Sequence, residues 1–220
     1  MSEMKVIKDK SGNGNDVEQL VATDQPSTGS RTIGGLNALG FDGINHFLRK
    51  LEVISLTGGM TIVCLFYQDT NVVGDRSFGV RETTQSNLKK TFTFDTDNSL
   101  RYDGASSAGA VPPTIGEHFR IATKSADAQS QTDYIDGSLN INDTASLVDS
   151  TDVELNVGNV HLGAANRYFD GAIGECILID SPVTNATRQK LEGYLAHKWG
   201  LTSNLPSNHP YKDQEPLIGV

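Results

Sequence analysis

Apolar and polar residues alternate in short runs through most of the chain, and each run ends at a turn former. "MTIVCLFYQ", residues 60–68, is β-branched and aromatic and predicts a strong strand. Residues 36–57 alternate well enough for two short strands on either side of Asp42-Gly43. "SFGVRE", "KKTFTFDT" and "SLRYDG" predict further strands, followed by "HFRIATKS", "TDYIDGSLN", "VELNVGNVHLGA" and "DGAIGECILID". Asp97-Asn98 is placed at one hairpin tip and Asp136-Gly137 at another. Residues 1–35 are polar and read as largely loop, because Gly and Asn reach positive φ at little cost. Short strands with turn signals every roughly 8–12 residues predict an all-β sandwich.

One segment breaks the rhythm. In "TNATRQKLEGYLAHKWG", residues 184–200, Leu191, Tyr194, Leu195 and Trp199 recur at helical spacing. Thr184 suits an N-cap and Gly200 the position after the C-cap. The spacing predicts a helix over 185–199, the only long one, with Leu191, Leu195 and Trp199 buried on the sandwich. His197 is expected to face solvent. Residues 201–220 follow as a Pro-bearing tail laid on the same sandwich.

Composition narrows the function classes. The chain has 220 residues, 37% of them apolar and 20% charged, which suits one domain over 1–220 with a real core. Its net charge of -9 supplies no basic face, so a nucleic-acid partner is not expected. No stretch approaches the roughly 20 apolar residues of a membrane span, and "MSEMKVIKDKSGNGND" holds no secretory signal. Cys64 and Cys176 each sit inside an apolar run, so free buried thiols are expected over a disulfide.

An aromatic followed by Asp-Gly recurs at Phe41-Asp42-Gly43, Tyr102-Asp103-Gly104 and Phe169-Asp170-Gly171, and loosely at Tyr134-Ile135-Asp136-Gly137. Three phrases carry a resemblance: "IKDKSGNGND" with "GLNALGFDGINHFL", then "YIDGSLN", then "YFDGAIGECILID" with "TRQKLEGYLAHKWGL" and "LPSNHPYK". Together they resemble the concanavalin A-like, LamG-type jelly rolls of bacterial surface proteins and phage structural proteins. The resemblance implies a jelly-roll β-sandwich with one C-terminal α-helix. In that setting Asp-Gly is expected to be turn grammar, where a strand buries its ring and then reverses. Where the family places a Trp before the "DKSGNGND" loop, this chain has Ile7. The chain is expected to be either a domain from a larger protein or a short natural version.

Candidate chemistry is sparse. A retaining glycosidase needs two carboxylates about 5–5.5 Å apart, which on one strand means alternating acids. Asp95-x-Asp97 and Asp152-x-Glu154 alternate but lie beside turns, and Glu175 has no acid two residues away. The expectation is therefore a chain that is not an enzyme, with Glu175 a structural acid. There is no Gly-x-Ser-x-Gly elbow, no His-x-x-x-His pair and no phosphate loop. Asp9, Ser11, Asn13 and Gly14 match the first half of an EF-hand loop, but Leu20 stands where the bidentate Glu belongs. No cofactor is indicated by spacing; the resemblance implies Ca2+ at a loop rim, on Asp and Asn side chains with backbone carbonyls.

Sugar sites favour an aromatic ring beside Asn, Asp and Arg. "VVGDRSF" and "NRYFDG" offer such mixtures, which makes Asp75, Arg76, Asn166, Arg167 and Tyr168 the candidate binding residues. The leading expectation is a carbohydrate-recognition or adhesion module with a polysaccharide or glycan partner. The alternative is a structural domain of a virion or cell-surface assembly, with neighbouring domains or further copies of itself as partners; a polysaccharide hydrolase or lyase comes third. Either leading setting is extracellular, on a cell surface or in a virion.

Overall fold

The computed structural model describes residues 2–50, 54–70, 76–82, 90–94, 100–101, 119–126, 130–143, 150–159 and 168–217. In chain order the strands are β1 (Ser2–Glu3), β2 (Val6–Ile7), β3 (Val17–Glu18), β4 (Ser27–Ile33), β5 (Leu36–Asp42), β6 (Leu48–Arg49), β7 (Ile54–Leu56) and β8 (Met60–Gln68). Then come β9 (Arg76–Glu82), β10 (Lys90–Phe94), β11 (Leu100–Arg101), β12 (Arg120–Ala126), β13 (Gln131–Ile135), β14 (Ser138–Asp143), β15 (Ser150–Val157) and β16 (Asp170–Ile179). The helix α1 spans Asn185–Lys198 and is the one α-helix among the described residues. One antiparallel sheet runs β1-β4-β5-β16-β8-β12-β13-β14; the other runs β11-β10-β9-β15-β6-β3-β2, with β7 also on β15.

The two sheets meet over a core drawn from both inner faces: Phe41, Ile62, Cys64, Phe66 and Ile173 from one, Leu48, Phe78, Val80, Leu155 and Val157 from the other. Phe169 closes one end, edge-on to Phe41 at 6.1 Å and to Phe66 at 6.3 Å between ring centroids. The continuous apolar run of β8 has its reason here. Ile62, Cys64 and Phe66 face the other sheet, while Val63 and Leu65 face away from it, toward α1. On that outer side they meet Ile121, Leu195, Trp199, Leu201 and Leu205, so the tail residues Leu201 and Leu205 join the core.

The caps of α1 are those the sequence predicts. The Thr184 hydroxyl accepts from Thr187 N at 3.2 Å, and Gly200 takes φ +68°. Leu195 and Trp199 are buried, but Leu191 is half-buried. His197 is half-buried too, with Nε2 2.9 Å from Tyr211 O, which corrects the solvent-facing expectation: the tail folds back across the helix. Arg188 and Glu192 are buried beside them. Arg188 NH1 donates to Glu192 Oε2 at 2.5 Å, its other nitrogens donate to Asn185 Oδ1, and its guanidinium lies 3.5 Å from the Tyr134 ring centre. His209 Nδ1 accepts from Tyr211 N at 3.3 Å, so Nε2 carries the proton and donates to Glu192 Oε2 at 3.2 Å.

Residues 1–35, read as largely loop, also supply β4, whose polar sequence "STGSRTI" hides its pairing with β5. The β4–β5 hairpin turns at Gly34, where a Cβ would stand 2.7 Å from the Trp199 backbone, so only Gly lets the hairpin tip meet the helix end. The turn at Asp136-Gly137 is a tight β13–β14 hairpin with positive φ at both residues, 49° and 79°. Asp170-Gly171 is not a turn: it opens β16, and its residues pair in register with Asp42 and Phe41 of β5. Asp97-Asn98 and Tyr102-Asp103-Gly104 lie outside the described residues.

Two substitutions test this account in urea denaturation. Trp199→Ala removes a buried ring and its indole bond to Glu175 Oε2, and is expected to cost about 3–5 kcal/mol; below about 1 kcal/mol the helix is not anchored by this side chain. Glu192→Ala leaves the buried Arg188 without its counter-charge, and about 3–5 kcal/mol of destabilisation is expected there too.

Candidate functional site

Among the described residues, we single out two places that bring polar and apolar side chains together in a concave or rim setting. The first is a cavity of about 820 Å³ on the side of the sandwich. It opens because β5 and β16 separate. Their register ends at Ile173 with Leu39, and β5 then follows β4 toward the helix end. Asn37, Leu39, Ile173, Cys176, Leu178, Trp199 and the loop 8–15 line it.

The two acids of that cavity, Glu175 and Asp9, are committed to the fold. Glu175 accepts from Tyr194 OH at 3.1 Å, Lys198 Nζ at 2.7 Å and Trp199 Nε1 at 3.0 Å, which makes it the acid that ties α1 to the sheet. Burial pushes Lys198 down, but the Glu175 and Tyr194 contacts outweigh it and hold the ammonium above its usual range. Asp9 accepts from Asn15 N at 2.9 Å, from Ser11 N at 2.8 Å and from the Ser11 hydroxyl at 2.8 Å. Those backbone donors hold its carboxyl below the usual carboxylate range. The partial EF-hand match is thus built as a loop closed on its own carboxylate.

The second place is the rim where β5 ends and β16 begins. Asp42 Oδ1 accepts from Ile44 N, Asn45 N and His46 N at 3.0, 3.1 and 3.1 Å, and His46 Nε2 lies 3.5 Å from Oδ2. Burial pushes the carboxyl up, but the three N–H donors outweigh it and hold it below the usual range. This fixes the loop 43–47. Asn45 Nδ2 then donates to Thr23 O and Asp24 Oδ1, and Phe47 N to Asp24 O. The half-buried Phe47 ring stands 6.3 Å from the half-buried Tyr168 ring, and the Arg49 guanidinium lies 6.0 Å from the Phe47 ring centre.

Three polar groups around this aromatic pair have no protein partner among the described residues: the Arg49 guanidinium, apart from its place beside Phe47, the Tyr168 hydroxyl and the Asn45 carbonyl. Half-exposed rings with uncommitted donors and acceptors beside them are what a sugar face and its hydroxyls require. Of the residues proposed from sequence, Tyr168 is at this rim. Arg76 begins β9 on the other sheet, and Asp75, Asn166 and Arg167 lie outside the described residues. Phe47, Arg49 and Asn45 were missed. The signal present was "DGINHFLR", an Asx-closed loop ending in an aromatic and a base.

Two acids also stand in register here. Asp42 and Asp170 are register partners across β5 and β16, and Asp170 Oδ2 accepts from the Thr70 hydroxyl at 2.5 Å. Glu175 and Glu154 do not form a second such pair. Cys176 and Leu155 face the inner core, so Glu175 and Glu154 project from opposite outer faces.

No family model matches the sequence, and no curated protein matches it. Solved structures do. An arabinofuranosidase complexed with arabinofuranosyl-alpha-1,2-xylobiose matches with a TM-score of 0.62 at 12% identity, covering 92% of this chain and 50% of that one. Domain 4 of AbnA, an extracellular arabinanase from Geobacillus stearothermophilus, in complex with arabinotriose, matches at 0.55 and 16%, covering 84% of this chain and 97% of that one. Trypanosoma rangeli sialidase with 2,3-difluorosialic acid matches at 0.59 and 13%, covering 90% of this chain and 32% of that one. This chain therefore spans about half of the arabinofuranosidase and about a third of the sialidase.

At such identities the likeness shows the fold, an all-β sandwich with a single helix among the described residues. It also corrects one expectation. Glycoside hydrolases stand among the neighbours, which overturns the reading of the chain as not an enzyme. The missing alternating acid run carried that reading, and it has no force where acids can stand in register on adjacent strands, as Asp42 and Asp170 do.

Asp42 gives the rim a pH dependence. A carboxyl whose folded value is depressed contributes stability that is present above its unfolded value, about 3.9, and is lost as pH falls through the folded one. The Tm gap between wild type and Asp42→Ala is expected to be widest above about pH 5 and to close toward about pH 2. A gap that stays constant across that range means the donors do not act on the ionised form.

Proposed function

We propose that the protein recognises a carbohydrate at the rim formed by Phe47, Tyr168, Arg49 and Asn45. The observation that carries this reading is the half-exposed aromatic pair with uncommitted polar groups beside it. Support also comes from the neighbours, which are named for arabinose-containing or sialic acid ligands. Arabinose-containing oligosaccharides are the first class to try, because the arabinanase domain that this chain covers almost end to end is named in complex with arabinotriose. The finer assignment to LamG-type jelly rolls rests on the motif resemblance, and the setting we propose is extracellular, on a cell surface or in a virion.

A glycan array, followed by calorimetric titration of its hits and of arabinotriose with and without added calcium, tests the reading. Saturable binding is expected, and Tyr168→Ala and Arg49→Ala are each expected to weaken it about tenfold, roughly 1.4 kcal/mol, without lowering Tm. The same ligands are assayed for cleavage; hydrolysis lost in Asp170→Asn would extend the reading from recognition to catalysis. Silence across the array together with self-association would replace it with the structural one.

A further inference from the structure

We propose that Cys64 and Cys176 are a cross-strand dithiol that closes to a disulfide in an oxidising setting and locks β8 to β16. The two residues are direct register partners on adjacent antiparallel strands, and their sulfurs lie 3.5 Å apart. Both side chains point into the inter-sheet core, Cys64 fully buried and Cys176 half-buried. A rotation of the two thiols toward each other closes the remaining gap, because directly opposite residues on paired strands fall within the Cα separation a disulfide spans. A route for a reagent exists as well: Cys176 lines the cavity that opens where β5 leaves β16. None of this depends on the carbohydrate reading, since the rim and the dithiol share no residue.

The oxidant is a small disulfide such as oxidised glutathione. The Cys176 thiolate attacks one sulfur of that reagent, the reagent's S–S bond breaks, and one reduced thiol leaves with the proton that Cys176 gave up. The Cys64 thiolate then attacks the Cys176 sulfur of the mixed disulfide. The Sγ–Sγ bond forms, and the second reduced thiol leaves with the Cys64 proton. Two protein thiols are oxidised and one disulfide is reduced to two thiols. Burial pushes the Cys176 thiol up, so the exchange is slow at neutral pH and quickens as pH rises.

The consequence is large because the bridge joins positions 112 apart in sequence, a loop that an unfolded chain closes only at high entropic cost. The test incubates folded protein with oxidised glutathione at mildly alkaline pH, alkylates the remaining thiols, and maps the peptides by mass spectrometry. A Cys64–Cys176 linked peptide is expected, with Tm raised on the order of 10 °C and restored by dithiothreitol. Cys64→Ser is expected to retain glutathione on Cys176 and to show no such rise. Two alkylated thiols after oxidation, a persistent glutathione adduct in the wild type, or bridging between molecules would each overturn the proposal. A linked pair with unchanged or lowered Tm would overturn its locking role.

Discussion

The molecule depends on β8 having no solvent-facing side. A strand buried on both faces needs a layer on each, and here one layer is the second sheet and the other is α1 with its tail. The acid that binds those layers together is Glu175, one strand away, which takes three donors from the helix. The β16–β8 register shifts between Ile173 and Glu175, and the glycine there makes the fit feasible: at Gly174 a Cβ would stand 2.3 Å from Leu65 and 3.1 Å from the Trp199 ring. Helix and sheet are therefore in contact at backbone distance on β16, and the cavity between β5 and β16 is the counterpart of that close approach.

Much of this was legible in the chain. The strand over 60–68 announces itself because a doubly buried strand has no reason to alternate, and α1 because its caps are chemically specific. Other features were hidden for physical reasons. The strand "STGSRTI" is polar on both faces because it lies near a sheet edge, so no apolar period marks it. The spacing of Arg188 and Glu192 was visible, but charged residues default to the surface, and only His209 and Tyr134 arriving from elsewhere explain their burial.

The site was legible in kind and not in place. Tyr168 was singled out because "NRYFDG" sets an aromatic beside Asn, Arg and Asp, yet the Phe47 ring beside it comes from a distant loop that only the β5–β16 register brings alongside. The same register turned two copies of one phrase into neighbours, where sequence could show only that the phrase repeats. The reading of the chain as not an enzyme rested on acids along single strands, whereas Asp42 and Asp170 stand in register on adjacent ones.

The order of layers also bears on how the chain reaches its native state. The central pairing joins β8 to β16 across more than half the sequence, with partners 112 positions apart, and α1 cannot find its seat until that pairing exists. Such long-range contacts put folding in the slow regime of sandwich topologies, milliseconds to seconds. During that interval the apolar faces of "MTIVCLFYQ" wait uncovered, so this nonamer is the segment that a chaperone, or a neighbouring nascent chain, meets first.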